Sequence, residues 1–117
     1  MIGATFSGRF SDETEGRYVQ VAEIEVDPAQ LKNYRTAVRK QIEAAIREEP
    51  GVLVLYAVFD QDNPAHVTAF EIYKNVAAYK AHLESAHFKK YKVATETMVK
   101  SLMLIRSTPI MLGAKGE

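Results

Sequence analysis

The sequence has no cysteine, no tryptophan, no net charge and no apolar run approaching the ~20 residues of a membrane-spanning helix. Without cysteine there are no disulfides, thiolate nucleophiles, iron–sulfur ligands or thiolate zinc sites. Fifteen basic residues against fifteen acidic ones leave no global field to gather nucleic acid or an anionic membrane, so neither is an expected partner. The six glycines lie in the opening segment, one turn and the tail, and none builds a phosphate-cradling loop. Metal-site patterns are equally sparse: there is no H-E-x-x-H, no histidine pair at i, i+4 and no cluster of carboxylates at ligand spacing. No metal and no cofactor are expected. The opening MIGATFSGRF lacks the basic start and apolar centre of a secretory signal, and the expected location is cytoplasmic.

What is present fits one domain of 117 residues, 47% of them hydrophobic. Residues 1–17 are rich in glycine and short polar groups and read as a flexible arm; residues 18–112 form the domain; residues 113–117 are a loose polar tail. In YVQVAEIEV, from Tyr18 to Val26, Tyr18, Ala22, Ile24 and Val26 alternate with Val19, Val21, Glu23 and Glu25, the period of a strand. Asp27-Pro28 then caps a helix whose stripe is Leu31, Tyr34, Val38, Ile42, Ala45 and Ile46, and Pro50-Gly51 stops it. Val52 to Asp60 is a strand by its β-branched and aromatic content. QDNPA is turn chemistry, and His66 to Tyr73 returns as a second strand. Asn75 starts a helix, with a possible break near Ser85, and the last strand or strand pair is Leu102 to Ile105 and Ile110 to Leu112, split by Pro109.

The order β-α-β-β-α-β is that of an α+β ferredoxin-like sandwich, two helices covering one face of a four-stranded antiparallel sheet. Two helices cannot cover both faces. Yet Val52, Val54, Tyr56 and Val58 oppose Leu53, Leu55, Ala57 and Phe59, so the bare face would display large apolar groups. A homodimer packed through its sheet faces is the expected remedy.

Among candidate site residues, His82 follows Tyr79 by one helical turn on the same face, and an imidazole exchanges protons near neutral pH. His87 lies five residues on, about 140° further round an unbroken helix, and joins His82 only if the helix breaks. His66, beside a proline turn, reads as solvated. Tyr73 either donates to a substrate oxygen or is core with a wet hydroxyl. Tyr79, Phe70, Tyr56, Phe59 and Phe88 supply an aromatic pocket or ordinary core, Glu23 and Glu71 are bases if buried, and the run Lys89 to Lys92, KKYK, is a solvated helix face.

The segments PGVLVLYAVFD, TAFEIYKN and AYKAHLESAHFKKY together resemble the antibiotic biosynthesis monooxygenase domain family, small dimeric α/β-barrel proteins that include quinol monooxygenase-like members. The likeness spans about Tyr18 to Leu112, and its most specific part is Tyr73 followed by Ala78, His82, Ser85, His87 and Phe88. It implies a pocket between sheet and helices and a cofactor-independent oxidation of a small aromatic or quinol-like substrate by O2. In that scheme His82 accepts a proton, Tyr73 orients the substrate, and Tyr79, Phe70, Tyr56, Phe88 and His87 contact it. The resemblance also admits an isomerase of a small oxygenated metabolite and a non-catalytic ligand-binding module. Haem-degrading and polyketide-oxidising relatives place a tryptophan where Tyr73 stands and an asparagine in the strand that here reads VAEIEV, so those two chemistries are not expected.

Overall fold

The computed structural model describes residues 8–11 and 16–116. Its elements in chain order are β1 (Gly8–Ser11), β2 (Tyr18–Val26), a 3-10 turn (Pro28–Gln30), α1 (Leu31–Glu48), β3 (Val52–Asp60), β4 (Asn63–Tyr73), α2 (Val76–Glu84), α3 (Ala86–Thr95), β5 (Val99–Ser107) and β6 (Leu112–Lys115). Strands β3, β4, β2 and β5 lie in that order in one antiparallel sheet, the ferredoxin-like arrangement. No helix among the described residues is long and apolar enough to cross a membrane.

The local reasons for these elements are on view. Asp27 Oδ1 accepts from the Ala29 amide at 3.0 Å, and Pro28 opens the turn that leads into α1. Asn75 Oδ1 accepts from the Ala78 amide at 2.9 Å and caps α2. The expected break falls at Ser85, which ends α2 and caps α3 at once: its hydroxyl donates to the His82 carbonyl at 2.7 Å and accepts from the Phe88 amide at 3.2 Å.

Three details differ from the pattern in the sequence. The turn in QDNPA contracts to Gln61-Asp62, with Asn63 paired to Asp60 and the ladder irregular at Pro64, which has no N–H to give. A bulge between Val52 and Val54 turns Val52 into the core beside Leu55, so Val52 does not share a face with Val54, Tyr56 and Val58. The last strand runs longer than expected, from Val99 to Ser107. Beyond Pro109, Leu112–Lys115 leaves the sheet and pairs antiparallel with Gly8–Ser11, inside the segments whose composition promised little order.

Helices α1, α2 and α3 share one face of the sheet, and the core beneath them is split. Ala22, Ile24, Val26, Tyr34 and Val67 form one buried cluster; Ala45, Val52, Leu55 and Tyr73 form another. The opposite face is bare in its middle. A register row runs Tyr56, Phe70, Val21, Ile105 across all four strands, with Val58, Thr68, Glu23 and Met103 beside it. Tyr56, Val58 and Met103 are each about 60% exposed.

Gly51 lets the α1–β3 connection touch α2, because a Cβ there would stand 2.6 Å from the Ala78 Cβ. Gly51→Ala is expected to lower stability in urea denaturation by about 1–3 kcal/mol, the usual cost of overpacking. The Gly51→Ala, Ala78→Gly pair should lose less than the sum of the two single changes.

Candidate active site

A cavity of about 1060 Å3 lies between the sheet and its helices, in the gap between the two core clusters. Polar side chains occupy positions on the buried faces that the apolar pattern would assign to core: Gln20 on β2, Gln41 on α1, Glu71 on β4 and His82 on α2 all line it. Gln41 Oε1 is buried without a hydrogen-bond partner, so an occupant carrying a donor would satisfy it.

His82 is 2% exposed and its Nδ1 stands 2.8 Å from Glu49 Oε2. A carboxylate accepts, so in the neutral ring the proton sits on Nδ1 and the lone pair on Nε2. Glu49 is not part of the cavity wall whereas His82 is, which leaves Nε2 as the nitrogen available to the cavity. His87 Nε2 donates to the same Glu49 oxygen at 2.5 Å. The break at Ser85 thus joins His87 to His82 through Glu49, but His87 itself stands behind the wall.

Next to His82, at 5.3 Å between ring centroids, is Tyr73, 1% exposed. Its hydroxyl donates to Glu71 Oε1 at 2.8 Å, and the Gln20 amide donates to that oxygen at 3.1 Å. Burial raises the Glu71 carboxyl above the ordinary 4.5, outweighing these two donors. Burial, then the neighbouring Glu71 charge, pushes the Tyr73 phenol far up, so it stays protonated. Tyr79 lines the cavity, stacked on Tyr18 at 4.1 Å, and Phe88 lines it with its ring 4.9 Å from His82. At the far end Tyr34 and Tyr91 share a hydroxyl hydrogen bond of 2.8 Å.

Phe70 stands on the other face of the sheet, opposite Val21, because β4 presents Val67, Ala69, Glu71 and Tyr73 to the helices. Tyr56 borders the cavity but is paired with Phe70 in register and 62% exposed. Phe59 lies under the Arg35 guanidinium at 3.8 Å rather than in the cavity wall. His66 is also on the outer face, held between Glu23 Oε1 at 2.6 Å and Asp60 Oδ2 at 3.0 Å, and these hydrogen bonds raise its pKa. Of the two glutamates considered as bases, Glu71 is at the cavity and Glu23 is not. Glu49 escaped notice in the sequence because E-E-P-G reads as a helix stop.

The profile of the antibiotic biosynthesis monooxygenase family matches residues 17–94. A solved structure from Bacteroides thetaiotaomicron, described as a candidate antibiotic biosynthesis monooxygenase, is 48% identical over 81% of this chain and 90% of its own, with a TM-score of 0.80. The chain belongs to the antibiotic biosynthesis monooxygenase family. A family structure from Nitrosomonas europaea (22% identity, TM-score 0.77, 82% of this chain and 92% of that one) shares the fold. So does a candidate monooxygenase from Lactobacillus acidophilus (24%, TM-score 0.76), where 93% of this chain covers 55% of that one. No curated protein matches the sequence. The match over 17–94 takes in Glu49, Glu71, Tyr73, His82 and His87.

Because the folded state holds the Glu71 proton more tightly than the unfolded chain, Glu71 favours folding below pH 4.5 and loses that contribution as pH rises through its raised value. Glu71→Gln keeps the acceptor oxygen and removes the charge. Its melting temperature should match wild type near pH 4 and exceed it as pH rises through the raised Glu71 value, then hold that excess; a difference independent of pH would contradict the burial of a titrating carboxyl.

Proposed function

We propose that this protein is a monooxygenase that oxidises a small electron-rich aromatic of the hydroquinone class with O2, using no bound cofactor. The observation that carries this reading is the split environment of His82: Glu49 holds Nδ1, and Nε2 is left as a proton acceptor beside a cavity walled by tyrosines. Loss of a phenol proton to Nε2 makes the ring a better electron donor, and the substrate then supplies all the electrons. A carbon–oxygen bond forms between ring and O2, the O–O bond breaks, one atom stays as a hydroxyquinone oxygen and the other leaves as water. Glu71, when protonated, can donate to Tyr73 and release the Tyr73 proton toward the substrate oxygen as negative charge develops there. The unpaired Gln41 oxygen suits a second hydroxyl on the ring. The monooxygenase names of the solved relatives from B. thetaiotaomicron and L. acidophilus support the same class of reaction.

The working unit in this proposal is a two-fold homodimer closed through the row Tyr56, Phe70, Val21, Ile105, whose apolar groups otherwise face water.

Oxygen consumption on a panel of substituted hydroquinones tests the reaction. One O2 should disappear per substrate, and His82→Ala should lower kcat/KM by about 10²–10⁴-fold with the fold intact by circular dichroism. Turnover without oxygen uptake would instead mark an isomerase, and binding without turnover a sequestering module. In light scattering the wild type should be a dimer, and Ile105→Lys with Met103→Lys should shift it to monomer; a monomeric wild type at micromolar concentration would remove the interface.

A further inference from the structure

Behind the cavity wall, three metal-ligating atoms converge from three elements: Glu49 Oε2 after the end of α1, His82 Nδ1 in α2 and His87 Nε2 in the first turn of α3, all within 4.8 Å of one another. We infer that Glu49, His82 and His87 form a binding site for one divalent first-row transition ion of the zinc type. Two imidazole nitrogens and one carboxylate oxygen suit a borderline cation, whereas a hard ion such as magnesium prefers an all-oxygen shell. The site is partly buried, His82 being 2% exposed and the Glu49 and His87 side chains 15% each, so water competes weakly for the ion yet retains a path to an open coordination position.

The two hydrogen bonds, 2.8 and 2.5 Å, are shorter than the ~3.3 Å between ligands in a tetrahedral shell with 2.0–2.1 Å bonds. Entry of the ion therefore needs the Glu49 carboxylate to retreat by less than about 1 Å and the two imidazole nitrogens, which lie within 4.8 Å of each other, to settle near that same ~3.3 Å spacing. The ion takes the place of the protons that His82 and His87 now direct at Glu49, and in each neutral ring that proton moves to the other nitrogen. Glu48 Oε1 stands 3.9 Å from His87 Nδ1, on the side of that ring turned away from Glu49, where a carboxylate would orient a metal-bound imidazole.

Because Glu49 and His87 lie outside the cavity wall, the ion would sit behind His82 and not meet an occupant of the cavity. Its effect would be exerted through the ring. Coordination at Nδ1 shifts the ring's one proton to Nε2, so a bound ion converts the cavity-facing nitrogen from acceptor to donor. If the proposed oxidation is correct, such an ion is an inhibitor of it; that consequence rests on the proposed function, and the binding site does not.

The test is calorimetric titration of tag-free full-length protein with zinc chloride, accompanied by a long-range proton–nitrogen spectrum of the histidine rings. We expect one zinc ion per chain, a change in the His82 and His87 nitrogen shifts, and affinity at least about tenfold weaker in His87→Gln and in Glu49→Gln. His66→Gln, which alters the other histidine–carboxylate cluster, should bind as wild type does. His87→Gln changes a partly exposed residue and keeps the measurement interpretable if Glu49→Gln fails to fold. Absence of saturable binding, equal affinity in His87→Gln, or loss of binding in His66→Gln would each overturn the site. These readouts do not depend on turnover, so failure of the oxidation reading would leave them standing.

Discussion

One carboxylate oxygen ties three helical segments together. Glu49 Oε2 accepts from His82 in α2 and from His87 in α3, and its own residue closes α1 through its amide to the Ala45 carbonyl. A largely buried carboxylate without donors is costly, and for Glu49, 15% exposed, two imidazole N–H groups are a strong answer to it. The answer is available only because the helical path is interrupted: on a continuous helix the two rings would diverge by about 140°. Ser85 makes the interruption, ending one helix with its donor and starting the next with its acceptor. Three helical segments thus depend on one side chain, and the orientation of His82 follows from it.

The second constraint is the division of the core. A domain of this size has little apolar surface to spare, yet Gln20, Gln41, Glu71 and His82 stand where Leu or Val would pack. The two apolar clusters on either side carry the stability, and the polar groups between them are satisfied mostly by one another: Gln20 with Glu71, Glu71 with Tyr73, His82 with Glu49. Gln41 is the exception, its buried oxygen meeting no donor among the described residues. The close contact of Gly51 with Ala78 matters here too, since it seats α2, and with it His82, against the chain leaving Glu49.

The elements were readable because their periods are clean: alternation in YVQVAEIEV, the helical stripe from Leu31 to Ile46 and the capping residues Asp27 and Asn75 each point one way. Facing was readable only where one side of a strand is polar. In VLVLYAVFD both sides are apolar, so nothing local said whether Tyr56 or Leu55 meets the helices, and a single bulge then moved Val52 across. Phe70 follows Tyr56 to the outer face for the same reason. Gln20 and Gln41 left a trace, each a polar residue within an apolar face. Glu49 left none, because its partners lie 33 and 38 residues away and a glutamate before Pro-Gly is ordinary at a helix end. His66 shows the reverse limit: a turn-side histidine that composition assigns to solvent is gathered by Glu23 and Asp60 from two neighbouring strands.

The same sheet face serves two purposes along its width. Over β4 and β2 it is covered by helices and forms core and cavity floor. Over β5 the cover thins, leaving Leu102 and Leu104 about half exposed although they share the helix-side register of Ala22 and Ile24 and line the cavity. Half-exposed leucines on the covered side of an edge strand mark an opening rather than a packing fault, since a closed core would bury the remaining half of each at a gain of about 1 kcal/mol. Lys89 and Lys92 of α3 also line the cavity, and the Lys89 ammonium is paired with Glu84 at 3.0 Å. In the proposed reaction, a flat, weakly acidic aromatic entering there would pass apolar side chains before reaching Tyr73 and His82. The gradient from apolar mouth to hydrogen-bonding interior would orient such a molecule hydroxyl first, toward Nε2 of His82.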